Sequence, residues 1–410
     1  MTSLTVQLLF FAFFLSPFSS VRAEDFPGGD SSANLEETLK KGFSAEGGMQ
    51  DEDKKALDSD RLKIGGQLQA EWQIYTIENS STRKDFVTNP MTLEMYLDSQ
   101  LKDDVRSFFR GRLIHDGSID ESTLSPFTGL TQKQTTSSLD EMKISLNTNK
   151  RVYWTLGKQK IKWGASKFWN PTDFINNQKR DFLKSEDVRS GITMIKAHIP
   201  WRDANGYLIG VTDTANETNQ TGAAARIEVP LSAAEWTFSS YSRKGQPTKF
   251  GTDFSFALGD FDLYLEWAES NQQFDKSASG GLTYQFKYSD DDTVSLGLEG
   301  FWQENGYDNK SSYSTLFANN KFVPFFLGRT YGLLTIFLPK PGAWNDSSFM
   351  CYAFLNGSDK SQFYRLTWSY EGYSDLRLMA ALGARAGESG TEMKYFNQEM
   401  DAYFQMKLEF

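Results

Sequence analysis

The residues best equipped for chemistry lie between Gly157 and Gly191. Lys158, Lys160, Lys162 and Lys167 are interleaved with Trp163, Phe168 and Trp169, and Lys179, Arg180, Lys184 and Arg189 follow. Against these eight cations stand four acids, Asp173, Asp181, Glu186 and Asp187, a net of +4. Cations ringing a confined passage favour anions and acidic sugars. The competing uses are contact with surface phosphates and pairing with acids elsewhere, such as Glu266 and Glu299. The aromatic rings have two uses as well: stacking against sugars, or packing against a wall. Asn170-Pro171-Thr172-Asp173 is turn chemistry, because Pro fixes φ and Asp closes an Asx-type turn.

Other chemistry is thinly supplied. The chain has one cysteine, Cys351, which excludes an internal disulfide and a cysteine knuckle. Its two histidines, His115 and His198, are too few for a histidine-rich metal centre. No GxSxG or CxxCH occurs, and Asp116 beside His115 does not make a catalytic pair. The sequence therefore gives no catalytic residue, metal site or cofactor. A Ser/His/acid hydrolase on a membrane rim is the weakest of the functional readings.

What positions the basic stretch is a series of strands. In Asp401–Phe410, Ala402, Phe404, Met406, Leu408 and Phe410 share one face, and Tyr403, Gln405, Lys407 and Glu409 the other. Phe261, Leu263, Leu265 and Trp267 likewise oppose Asp262, Tyr264, Glu266 and Ala268. Period-two alternation marks a strand with one apolar and one wet face. Such runs recur from Lys63 to Phe410. They predict an all-β fold, a transmembrane antiparallel barrel of about eighteen strands, with sixteen as the alternative count.

The connections alternate in length. The predicted turns at 103–104, 148–150, 200–205, 230–234, 259–260, 289–292, 339–347 and 371–374 are short. The predicted loops at 78–90, 117–137, 158–190, 214–220, 244–248, 271–279, 304–328, 357–361 and 387–400 are mostly much longer. That asymmetry suits a barrel with short periplasmic turns and long outer loops. The third and longest loop carries the basic stretch. Its Trp163, Phe168, Trp169, Phe174, Ile175 and Phe182 need a surface to pack on, and a wide barrel offers one inside.

Residues 1–23 read as a secretory signal, with an apolar run from Leu8 to Leu15 and a small-residue site at Val21-Arg22-Ala23. Residues 24–61 read as an acidic, largely disordered periplasmic segment, and 62–410 as the barrel. The formal charge of −10 argues against nucleic acid as a partner, since most of it lies before the barrel.

Gly157-Lys158-Gln159-Lys160-Ile161-Lys162-Trp163-Gly164, followed by Asn170-Pro171-Thr172-Asp173, resembles a G-K-Q-x-I-x-W-G … N-P-x-D stretch of bacterial outer-membrane porin-like barrels. The stretch is loosely similar to the alginate-export group. The resemblance covers about twenty residues of the chain. It implies an inward-folded loop in a transport barrel of a Gram-negative outer membrane, and a homo-oligomer. The partners expected are the bilayer, lipopolysaccharide, small solutes, and the assembly machinery that reads the final strand through Phe410. The residues expected to form the pore constriction and bind solute are Lys158, Lys160, Lys162, Trp163, Lys167, Trp169, Asp173 and Arg180. The expected function is a porin or channel for small hydrophilic, anionic solutes. The alternative is a barrel that binds surface polysaccharide or sheaths a partner such as an electron-transfer cytochrome.

Overall fold

Alternate residues along each strand face opposite ways, so a sheet with one greasy and one polar face must hide or wet each appropriately. Here the sheet closes on itself. The computed structural model describes residues 61–410, apart from 80–81, 103, 124–130, 177, 182–183, 185–186, 273–274, 290–291 and 320–321. The expected leader, and all of the acidic segment except Arg61, lie outside the described residues, as does Phe182 of the long loop.

Strand β1 is Leu62–Asn79. Thr82–Thr88 and Pro90–Lys102 pair with β1 in one continuous register, Gln73 opposite Thr88 and Ala70 opposite Met91, so the two stretches are one stave, β2. The remaining staves are β3 (Val105–Asp116), β4 (Thr135–Thr148), β5 (Val152–Gln159), β6 (Ile192–Trp201), β7 (Ala204–Val211) and β8 (Gly222–Leu231). Then come β9 (Ala234–Arg243), β10 (Lys249–Leu258), β11 (Phe261–Ser270), β12 (Lys276–Lys287) and β13 (Thr293–Gln303). The last are β14 (Thr330–Pro339), β15 (Ser347–Asn356), β16 (Gln362–Tyr370), β17 (Leu376–Ala386) and β18 (Gln398–Glu409). Merging two of the nineteen stretches in the sheet gives eighteen antiparallel staves, each bonded to its sequence neighbour.

The barrel closes where β1 meets β18, with Gln67 opposite Glu409 and Ile74 opposite Ala402. Phe410 extends the seam: Gly66 donates its N–H to the Phe410 carbonyl at 2.9 Å, and Phe410 donates to the Gly66 carbonyl at 3.0 Å. Closure leaves no unpaired edge, which is the condition for strands to sit in lipid.

The faces sort as the alternation predicts. On β11, Leu263, Leu265 and Trp267 are exposed on the outside while Tyr264, Glu266 and Ala268 are buried on the inside. Trp201, Trp236, Phe261 and Phe410 stand exposed toward the short-turn end, where an aromatic girdle meets the membrane interface. Tight inward packing explains one glycine. Gly281 sits between Tyr264 and Glu299 in the register, and a Cβ there would meet the Tyr264 hydroxyl oxygen at 2.3 Å.

Of the expected loop at 78–90, Glu78–Asn79, Thr82–Thr88 and Pro90 are corrected to strand. Glu78 pairs with Arg83 and Tyr75 with Phe86, their rings stacked at 5.3 Å. Arg83, Lys84 and Asp85 follow one another without an apolar partner position, so the period-two signal fades although the ladder continues. For the same reason β4 and β12 begin a few residues earlier than their alternation suggests. Among the described residues no helix is long and apolar enough to cross a membrane; α1, Tyr313–Ala318, is a short turn within the loop after β13.

Leu265 lies midway along an outward face. We expect Leu265→Arg to lower folding stability in lipid vesicles by about 2–4 kcal/mol, read from denaturant titrations of reversible insertion. An unchanged midpoint would remove the apolar belt from that face.

Candidate functional site

The loop from Lys160 to Gly191 joins β5 to β6 without forming a strand or helix among its described residues. Buried backbone N–H groups need acceptors. The inner wall supplies them as carboxylates.

The feet of the loop are held at a β-bulge. In the β3–β4 ladder Arg110 pairs with Glu141 and Gly111 with Leu139, so Asp140 is an extra residue. An extra residue resets the alternation. Asp140 and Glu141 therefore both face the interior, at 1% and 5% exposure. Lys160 donates its backbone N–H to Glu141 Oε1 at 3.2 Å. Gly191 donates its own to the Asp140 carbonyl at 2.9 Å. Arg112 spans the two chains, with Nη1 donating to the Val188 carbonyl at 3.0 Å and Nη2 at 2.5 Å from Asp140 Oδ2.

The tip is held by Glu266 on β11 and Glu299 on β13. Glu266 accepts from Ser166 N at 2.5 Å, Thr172 N at 3.2 Å, Thr172 Oγ1 at 2.9 Å and Asn170 Nδ2 at 3.2 Å. Glu299 accepts from Lys167 N at 3.1 Å, Trp169 N at 2.9 Å, Phe168 N at 3.2 Å and the Tyr264 hydroxyl at 2.8 Å. Three successive main-chain donors thus converge on one carboxylate. Gly164 permits the approach: its φ is +101°, and a Cβ would lie 2.5 Å from Glu266 Oε1.

The aromatic residues lie against the wall. Trp169 has no exposed surface; it stacks on Phe301 at 5.6 Å and donates Nε1–H to the Phe325 carbonyl at 2.9 Å. Trp163 is 3% exposed and packs with Phe174, Ile175, Met194 and Ile209. The Arg226 guanidinium lies 5.6 Å from the Trp163 ring.

The charged candidates divide. Asp173 is a joint of the loop, accepting from Arg189 Nη1 at 3.1 Å, Asn176 Nδ2 at 2.8 Å and Trp163 N at 3.4 Å. Arg189 also pairs with Asp187 at 2.6 Å. Lys160 Nζ donates to the Asp187 carbonyl at 3.2 Å, and Lys167 Nζ to Thr283 Oγ1 at 2.5 Å. Lys162 is half-buried; burial, reinforced by the nearby Arg180, pulls its ammonium down to about 8. Lys184 pairs with Glu71 at 2.6 Å. Lys158 stands apart. It lies in register with Met142 and Thr193, on the side of β5 shared with the exposed Leu156.

Sequence reasoning placed Glu266 and Glu299 inside and weighed pairing with lysine side chains only as a competing use; the bonds they accept come from main-chain N–H groups, together with Thr172 Oγ1, Asn170 Nδ2 and the Tyr264 hydroxyl. It also missed a second anchor of the same kind. Glu392, in the loop before β18, accepts from Phe326 N at 3.2 Å, Leu327 N at 3.3 Å, Tyr331 Oη at 2.7 Å and Asn356 Nδ2 at 2.6 Å. This fixes the loop after β13, whose Phe325 carbonyl receives the Trp169 indole. The apolar run Phe322-Val323-Pro324-Phe325-Phe326-Leu327 was the available signal that this loop packs inward.

No family model matches this sequence, and no curated protein does. Among solved structures, OccAB4 of Acinetobacter baumannii is similar, with a TM-score of 0.59 at 10% identity over 86% of this chain and 98% of that one. A mutant of the Rh. blastica porin aligns with 85% of this chain and 100% of its own at 10% identity, with a TM-score of 0.46. The likeness to OccAB4 is one of fold.

Each anchoring hydrogen bond contributes about 0.5–1.5 kcal/mol. Glu266→Gln with Glu299→Gln is expected to speed amide exchange of residues 166–172 by at least about tenfold while strand amides stay protected. Uniform exchange across both proteins would mean the loop is held by something else.

Proposed function

We propose that this chain is a channel across a bacterial outer membrane for small hydrophilic solutes, with a preference for anions. The supporting observation is the cationic loop at 160–191, held inside a closed barrel by main-chain bonds to wall acids. Eighteen staves leave a water-filled bore, and a loop within it narrows the passage. The loop's cations exceed its acids, and Arg189 bridges Asp173 and Asp187. Lys160, Lys162, Lys179 and Arg180 supply the surplus that a passing anion would meet. Lys158, on the outward side, is left out of this constriction. Trp163, Trp169 and Asp173 hold the loop in place. A homo-oligomer, and recognition of the Phe410 strand by the assembly machinery, belong to the same proposal.

Planar-bilayer recordings test it. The purified protein should give open steps, and reversal potentials in a potassium chloride gradient should favour chloride. Lys160→Glu combined with Lys162→Glu should move the reversal potential toward cation preference. Selectivity for anions should also weaken as pH rises through about 8, because Lys162 sheds its proton there. A silent barrel that co-purifies with a partner would favour the scaffold alternative. An unchanged reversal potential in the double variant would refute the constriction.

A further inference from the structure

Beside the seam of β1 and β18, toward the short-turn end, lies a cavity of about 370 Å³. Gln67, Glu94, Tyr96, Arg110, Asp375 and Glu409 line it. Tyr96 sits between the outward Met95 and Leu97, so its ring belongs to the inner face. The cavity adjoins the foot of the long loop. Arg110 stands 3.6 Å from Glu94 and 3.7 Å from Glu141, the acid that takes the loop's first amide.

The charges here cancel. Glu94 pairs with Arg112 at 3.1 Å, and Glu409 with Lys407 at 2.8 Å. Glu94, Glu409 and Asp375 thus stand against Arg110, Arg112 and Lys407, and the lining with its partners asks for no net charge on an occupant. What is left over is neutral hydrogen-bonding capacity. Among the described residues neither the Tyr96 hydroxyl nor the Gln67 side-chain amide has a hydrogen-bond partner, and the buried Arg110 Nε has none either. A phenol and an amide each both donate and accept, as an alcohol does.

The ring of Tyr96 is placed by a missing side chain. Gly65 is its cross-strand partner, and a Cβ at 65 would overlap the ring. The backbone of Gly65 is not left-handed, so what this glycine supplies is room. The ring runs nearly parallel to that of Phe108, with centroids 6.1 Å apart. Phe108 already carries Arg110 and Lys143 over its ring, at 5.3 and 5.0 Å. The uncovered aromatic surface of the pair is therefore Tyr96.

We infer that this cavity binds a neutral pyranose sugar. The C–H face of the sugar lies on the Tyr96 ring, and its hydroxyls meet Gln67, the Tyr96 hydroxyl, Arg110 Nε and the Asp375 carboxylate. One apolar surface among several unspent polar groups is the lining such a molecule needs, since each hydroxyl that leaves water must find a partner. The inference names a solute for the channel proposed above, and rests on that reading only for its role in transport.

Saturation-transfer NMR on the full-length protein in lauryldimethylamine oxide, a detergent without sugar, tests the site with D-glucose as probe. Wild-type protein should pass saturation to the glucose ring protons, and titration gives the dissociation constant. Tyr96→Ala should raise that constant by about three- to tenfold. Gly65→Val should raise it similarly by displacing the ring, and Gln67→Leu by a few-fold. Heat-modifiable migration on gels checks that each barrel is folded; if Tyr96→Ala fails, Gly65→Val and Gln67→Leu carry the test. No transfer from folded wild type, or an unchanged constant in the folded variants, would overturn the site. Choline bound through Tyr96 more tightly than glucose would make it a cation site and overturn the sugar. Glucuronate bound with glucose excluded would overturn the neutral class. The channel reading fails separately: a barrel silent in bilayers that still binds glucose through Tyr96 keeps the site and loses the channel. Open steps without Tyr96-dependent binding do the reverse.

Discussion

Everything inside this barrel depends on where unpaired backbone N–H groups find acceptors. The strands settle their own in the ladder. The segment from Lys160 to Gly191 cannot, because every strand around it is already paired on both sides. Apart from a few turn carbonyls, its amides have side chains to turn to, and the wall offers carboxyl oxygens at the positions they reach. Glu141 takes the first amide of the loop, Glu266 and Glu299 take those of the tip, and the Asp140 carbonyl takes the last. Once those bonds form, the course of the loop is set, and with it the shape of the passage.

That arrangement makes demands on the sheet. Two adjacent acids cannot both point inward from a regular strand, so the bulge at Asp140 is what lets one site hold both feet. Glycine is needed where the loop backbone presses onto a carboxylate, as at Gly164, and where a ring must lie flat across the next strand, as at Gly281 beneath Tyr264. The same logic recurs at the long-loop end, where Glu392 gathers the amides of Phe326 and Leu327. Trp169 then joins the two systems through the Phe325 carbonyl.

Much of the barrel was legible because lipid imposes a simple rule. Where one face is greasy and the other wet, residues such as Phe261 to Trp267 announce both the strand and its orientation. The rule fails where its cause fails. Arg83, Lys84 and Asp85 are still paired but offer no apolar position to alternate. The site was legible in outline only. The cations and the need of the aromatics for a wall were on view in the sequence. The anchors were not, because Glu266 and Glu299 look like any other inward polar residue until the loop is laid across them.

Anchoring by main chain rather than side chain has a consequence for how such a passage can vary. A loop held by lysine–glutamate pairs would lose its position when a lysine changed, so charge and shape would have to change together. Here the carboxylates hold amides that every residue except proline possesses. In the proposed channel the side chains at 160 and 162 then set the charge of the passage, while Glu141, Glu266, Glu299 and the bulge set its geometry. On that proposal, selectivity and architecture are carried by different atoms of the same residues. Lys160 makes the separation concrete: its N–H holds the loop on Glu141 while its ammonium lies at the Asp187 carbonyl.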